Sequence, residues 1–230
     1  MSIIANKKRF FLGAGLLLTF LMVLALMFCP IFEGQNALQY SDALYNSISK
    51  GSAYYVPQAE GECAKFAGEP LAVSLTMDDE AQAENAARLF NAGGAETTVD
   101  GATLRVSGDL GRILKNSLGD ADAMYRNDAV KISEKYRYDA RRVLYDWWTA
   151  LKMMDKELKR QRKFAQAKLV AFVQQKAVET AYNYYGITPQ KITERVGVVI
   201  FSLIFYVVYT VWYGFAILFM FEGLGLRFKH

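Results

Sequence analysis

Positions 10–29, FFLGAGLLLTFLMVLALMFC, carry no charge, and a second uncharged run, VGVVIFSLIFYVVYTVWYGFAILFMF, fills positions 196–221. At about 1.5 Å per residue the first run measures roughly 30 Å, the hydrocarbon thickness of a bilayer, and the second crosses with some tilt. Two such runs at opposite ends of 230 residues predict a transmembrane helix at 10–32 and a helix at 189–222 that continues into a second span at 196–221. The basic Lys7, Lys8 and Arg9 ahead of the first run also suit a signal peptide. Its apolar core, however, exceeds the roughly 7 to 15 residues of such a leader, and no A-x-A-like cleavage site follows. Phe28 stands where a lipoprotein signal needs a small residue before Cys29. The run is therefore read as a retained anchor.

Basic residues resist translocation, so Lys7, Lys8 and Arg9 place segment 1–9 in the cytoplasm. Arg227 and Lys229 do the same for the basic tail 223–230. The expectation is a bacterial inner (plasma) membrane protein with two spans, both termini cytoplasmic and residues 33–195 periplasmic or extracellular. Lys191 and Arg195, just before the second span, weaken the local bias. The exported region is neutral overall but divided: residues 33–128 carry 7 basic and 15 acidic side chains, and residues 129–195 carry 15 and 7. The simplest reading is that these halves face one another, within one chain or between protomers. Cys29 and Cys63 make a disulfide available outside the cytoplasm, though nothing in the sequence shows that they meet. The single histidine is His230, which excludes His-centred triads and the usual zinc sites.

Segment 33–67 reads as a helix, Asn36–Lys50 with Asn36 as cap and Gly51 as stop, followed by a turn-rich loop with a short strand at Tyr54–Val56. The clearest module is 68–123. Leu71, Val73 and Leu75 alternate as a strand; Thr76 and Asp79 suggest a capping box; Ala83, Ala86, Ala87 and Phe90 recur at helical spacing up to Gly93 and Gly94. AETTV and ATLRV flank Asp100 and Gly101 as a hairpin, and Leu110, Ile113, Leu114 and Leu118 mark a helix ending at Gly119. The order is β-α-β-β-α, a ferredoxin-like half too small to be comfortable alone. Residues 129–186 follow as one long amphipathic, coiled-coil-like helix. Its apolar stripe runs Tyr136, Ala140, Leu144, Trp147, Leu151, Met154, Leu158, Ala165, Leu169, Phe172, with Arg162 as an intruder. The fold class is an α+β membrane protein: two terminal transmembrane helices enclosing a small extracytoplasmic α/β module and a long helix.

The candidate interaction residues lie on that helix. Trp147, Leu151, Met154 and Leu158 form its apolar side, and Lys152, Lys156, Lys159 and Lys163, spaced i, i+4, i+7, i+11, form a cationic one. In the cytoplasm clustered lysines would suggest nucleic acid; outside it the expected partners are anionic lipid, an acidic polymer or a protein, including a second copy through the long helix. Paired Asp and Lys on a solvated helix face account for the same pattern. The acidic groups Asp78, Asp79, Glu80, Glu84 and Asp120, Asp122 lack calcium-loop spacing, and the first opens a helix, where the macrodipole favours negative charge. Tyr206, Tyr209 and Tyr213 share a face of the second span near Thr210 and suit helix packing.

No nucleophile-base pair, phosphate loop or metal constellation is legible, so no enzymatic activity, cofactor or metal is expected. The leading expectation is a membrane-anchored scaffold with an exported docking domain. The layout of two terminal spans around an α/β base and a long helix resembles that of the polysaccharide co-polymerase family. The resemblance is in layout and covers no motif, and that family's proline-rich segment before the second span is represented here by Pro189 alone. It implies regulation of envelope polysaccharide assembly. A third class is an accessory subunit of a secretion, pilus or respiratory membrane complex, by fold-level analogy.

Overall fold

The computed structural model describes residues 4–32 and 34–226. The protein is mostly helical with one small three-stranded antiparallel sheet. It divides into two compact units, one formed by the two chain ends, through Ile48 and from Pro189, the other by Ser49–Thr188.

In the unit of the chain ends, helices α1 (Lys7–Met27) and α10 (Ile192–Gly223) are each long and apolar enough to cross a membrane. They pack side by side. The approach is closest at glycine: a methyl group on Gly13 would lie 2.7 Å from the Ala216 carbonyl oxygen and the Met220 nitrogen, and one on Gly223 would lie 2.6 Å from the Phe10 backbone. Small residues let helix backbones meet in this way. Further along, Trp212 Nε1 donates to the Leu16 carbonyl at 3.1 Å, and Phe20 stacks on Tyr209 at 4.2 Å between ring centroids. Arg9 pairs with Glu222. Of the three tyrosines expected on one face, Tyr209 and Tyr213 meet Phe20, while Tyr206 is exposed. Helix α10 starts at Ile192 with Lys191 as its N-cap residue, three residues after the expected start at 189. The basic residues expected in the tail, Arg227 and Lys229, lie outside the described residues.

Helix α2 (Ala37–Ser52) links the units. Its start is a reciprocal capping box, with the Gln39 N–H donating to Asn36 Oδ1 at 2.9 Å and the Asn36 N–H donating to Gln39 Oε1 at 3.1 Å.

The unit Ser49–Thr188 is built on β1 (Pro70–Thr76), β3 (Thr103–Asp109) and β2 (Glu96–Asp100), in that spatial order and antiparallel throughout. Leu71, Val73, Leu75, Leu104 and Val106 point into the core. The hairpin register pairs Asp100 with Thr103, so the turn residues are Gly101 and Ala102, one position beyond the expected pair. Gly101 takes the positive φ of 56°. Helix α4 (Glu80–Ala92) joins β1 to β2 and is capped by Asp79, which accepts from the Gln82 N–H at 2.7 Å. Thr76 belongs to β1 and takes no part in the cap; Gln82 Oε1 instead accepts from the Asp78 N–H at 3.0 Å.

Four sequence expectations are corrected. The segment after α2 is not a loop with a strand at Tyr54–Val56: it forms helix α3 (Val56–Ala64), with Pro57 in the first turn, where its missing N–H costs nothing. Helix α5 runs Leu110–Tyr125, straight through Gly119, because its apolar face buries Leu114, Leu118, Ala121 and Met124 and so outweighs a glycine penalty of about 1 kcal/mol. The stop at Gly51 is likewise passed by one residue.

The fourth and largest correction is the long helix. Residues 129–186 are not one rod but α6 (Ala129–Tyr136), α7 (Ala140–Arg160), α8 (Phe164–Val173), a π-helical turn (Gln174–Val178) and α9 (Glu179–Tyr184). The breaks occur at left-handed residues without glycine, Arg137 (φ 67°) and Arg162 (φ 61°). At the second, the Lys163 N–H reaches the Leu158 carbonyl and the Arg162 N–H that of Lys159, the paired bonds of a Schellman cap. A non-glycine residue in this conformation costs roughly 1–2 kcal/mol. Folding back lets α8 pack on α7 and bury Ala167, Leu169, Val170 and Val173, each large side chain contributing about 1.5–3 kcal/mol. The intruder in the stripe is the hinge.

Candidate functional site

Because the helix folds back, the apolar stripe of α7 is internal. Trp147, Leu151, Met154 and Leu158, expected to contact a partner, are wholly buried in the unit's own core. Trp147 packs edge-on to Phe90 at 5.5 Å, and its Nε1 donates to Asp120 Oδ2 at 2.9 Å. Asp120, 2% exposed, also accepts from the Tyr136 hydroxyl at 2.5 Å and from Lys135 Nζ at 2.6 Å. A buried carboxylate with three donors joins α5, α6 and α7, and the Tyr136 hydroxyl is pushed far above its usual value by burial and then by the Asp120 charge. Among the described residues, Lys135–Asp120 is the one ion pair between the acidic and basic halves. The halves pack against each other within one chain, chiefly through apolar contacts.

The lysine stripe is divided as well. Lys152, Lys156 and Lys159 are exposed on α7; Lys152 lies over the Trp148 ring at 4.7 Å, and Lys159 pairs with Asp155 at 2.7 Å. Lys163 stands beyond the hinge as the N-cap residue of α8, off the helix that carries the other three. Trp148, half-buried against the core, donates to Glu179 at 2.9 Å.

Cys29 and Cys63 are both free, so the disulfide is not formed. Cys63 faces the core from α3, and burial pushes its thiol up to about 12, leaving it protonated at neutral pH and a poor nucleophile. It lines a cleft of about 510 Å³ with Glu60, Asp109, Arg112 and Lys115. The Asp109 carboxylate there caps α5 and accepts from the Arg112 and Gly68 N–H groups at 3.0 and 2.8 Å; those bonds hold its carboxyl below the ordinary range. It is suited to fixing the helix start, not to proton transfer. Of the acidic clusters, Asp79 caps α4, and Asp122 binds Arg126 and the Tyr54 hydroxyl. Among the described residues no three His, Cys, Asp or Glu side chains are grouped to hold a metal ion.

One constellation had no sequence signal strong enough to find it. Lys50, 1% exposed, donates through Nζ to the Ile187 carbonyl at 2.7 Å, the Tyr184 carbonyl at 3.0 Å and Asn127 Oδ1 at 3.1 Å. Its ammonium sits 5.0 Å from the Tyr125 ring centroid. The Tyr125 hydroxyl donates to the Lys50 carbonyl. Asn127, left-handed at φ 65°, accepts from the Gly186 N–H at 2.8 Å and donates to the Ile187 carbonyl at 3.1 Å. Burial lowers the lysine's proton affinity. The group ties the first residues of this unit to its last and to the end of α5. An Arg-Asn-Asp sequence after a helical run is a faint sign of such a left-handed cap; the lysine carries none.

Compared with known proteins, the chain matches no family model, no curated protein and no solved structure.

Proposed function

We propose that this protein is a two-span, membrane-anchored docking protein without catalytic chemistry, whose unit Ser49–Thr188 is presented outside the cytoplasm. The observation that carries the reading is the α1–α10 pair. The two helices meet through Gly13 and Gly223 while Phe201, Leu203, Ile204 and Val207 remain exposed at 57–68%, the arrangement expected of helices solvated by lipid. The extramembrane unit supports the docking role through its shape: a small sheet backed by helices and stiffened by the Asp120 and Lys50 groups. Its β-α-β-β-α order, with β3 between β1 and β2, is read as a ferredoxin-like half. Self-association through the long helix drops out of the reading, because α7 already buries its apolar side. The co-polymerase-like layout loses its long helix in the same way, so regulation of polysaccharide assembly is not carried further.

The test is the native membrane. Retention in the pellet after alkaline carbonate washing, an external reporter signal at residue 60 and a cytoplasmic one at the carboxyl terminus are expected. A stoichiometric partner, whether a scaffolded protein or a secretion, pilus or respiratory subunit, is expected to co-purify in mild detergent. Release by carbonate refutes anchoring; a solitary monomer in every mild detergent refutes docking.

A further inference from the structure

The unit Ser49–Thr188 carries a set of exposed tyrosines and cations near the place where its two chain ends leave it. The Lys50 group brings residue 50 within hydrogen-bond distance of residues 184 and 187, so both connections depart from one place. Around that place Tyr54, Tyr55 and Tyr182 are each 36–37% exposed. Each has a cation against its ring: Arg126 lies 5.8 Å from Tyr54, Lys176 5.3 Å from Tyr55, and Arg141 5.6 Å from Tyr182 and 5.5 Å from Tyr185. Tyr125 bridges the two sides, 5.2 Å from Tyr54 and 6.5 Å from Tyr184. The three cations are exposed. Against the three cations stand Asp122, paired with Arg126 and bonded to Tyr54, and Glu179, which accepts from Trp148, so Arg141 and Lys176 carry the positive charge of this surface.

We propose that this surface docks on anionic lipid headgroups. The inference rests on the membrane-anchored reading and goes beyond it by assigning a face and a ligand class. Three considerations select a bilayer surface as the occupant. Tyrosine, with an apolar ring and a polar tip, is the side chain enriched at headgroup depth. The arginines and the lysine beside those rings are exposed, and a cation close to an anionic leaflet is attracted to it. The tether is also short: eight residues lie between Ile187 and the uncharged run at Val196, at most about 30 Å of extended chain. Lys191 and Arg195 fall on that tether and add to the same attraction. The lysine stripe of α7 plays no part in this contact.

The test uses the full chain in nanodiscs of neutral phosphatidylcholine alone or with a third of anionic phosphatidylglycerol, read by amide hydrogen exchange. Peptides covering 52–56 and 182–191 are expected to exchange at least threefold more slowly in the anionic discs. The contrast disappears in R126Q/R141Q/K176Q and survives in K152Q/K156Q/K159Q, with exchange in α7 reporting that each variant is folded. Equal exchange in the two lipids overturns the proposal without any variant. Loss of the contrast only in the α7 variant also overturns it, by moving the contact to the lysine stripe. Flotation with liposomes regardless of their charge reports the anchors separately. A chain that floats with neither lipid refutes the anchored reading, and this inference with it.

Discussion

Replacing Asp120 with alanine removes the acceptor at the junction of α5, α6 and α7. Trp147 is wholly buried, so its indole N–H, now 2.9 Å from Asp120, finds no water; an orphaned buried donor costs about 1–3 kcal/mol. The Tyr136 hydroxyl loses its acceptor too and keeps only the incoming bond from Asn116 at 3.1 Å, for roughly another 1–2 kcal/mol. Lys135, with its side chain 34% exposed, turns to solvent and adds about 1 kcal/mol or less. The sum, about 2–6 kcal/mol, corresponds to a fall in Tm of roughly 6–20 °C for a unit of this size. D120N keeps one carbonyl oxygen and is expected to lose about half as much. Thermal unfolding by circular dichroism in mild detergent reads both, and a double-mutant cycle with W147F is expected to show a coupling of about 1 kcal/mol or more. A fall below about 3 °C for D120A, or strict additivity with W147F, refutes the claim that this carboxylate organises the core.

Four further outcomes are expected. Burial holds the Tyr125 hydroxyl up to about 12 and the Tyr136 and Tyr138 hydroxyls well above the ordinary 10.0. The unfolded chain therefore loses these protons first, and the urea midpoint should fall as pH rises above about 10, less steeply in Y136F. Lys50 has the opposite sign: its proton affinity is lowered in the fold from 10.5, so its contribution rises with pH up to about that value, and K50M should abolish the rise. Asn127→Gly keeps the left-handed backbone while losing the bonds to Lys50, Gly186 and Ile187, and is expected to cost about 1–3 kcal/mol; Asn127→Ala should cost about 1 kcal/mol more because alanine resists φ 65°, both read by chemical denaturation. Gly13→Leu should separate α1 from α10, since even a Cβ there meets backbone at 2.7 Å. Thiols placed at Phe20 and Tyr209 in a Cys29→Ser background should then no longer be bridged by a short bifunctional reagent.

Local chemistry determined much of this molecule from the sequence alone. The two apolar helices follow from length and lack of charge, whatever surrounds them. The strand at 70–76, the helix up to Gly93 and the 96–109 hairpin follow from alternation, helical spacing and turn residues, with errors of a residue at caps and turns where Thr76 and Asp79, or Asp100 and Gly101, compete for the same role. The burial of Trp147, Leu151, Met154 and Leu158 follows from their common stripe. What covers them does not. The stripe of residues 129–172 is equally consistent with one rod seeking a partner and with a folded-back set of helices, because helical periodicity records which face is apolar and not where the chain reverses. The deciding quantity is tertiary: apolar area buried when α8 returns onto α7 exceeds the cost of a left-handed Arg162. The same holds for Lys50 and Asn127, whose partners are backbone carbonyls and an amide more than fifty residues away in sequence. Such contacts depend on where the chain passes, not on which side chains it carries, and only the folded structure brings them together.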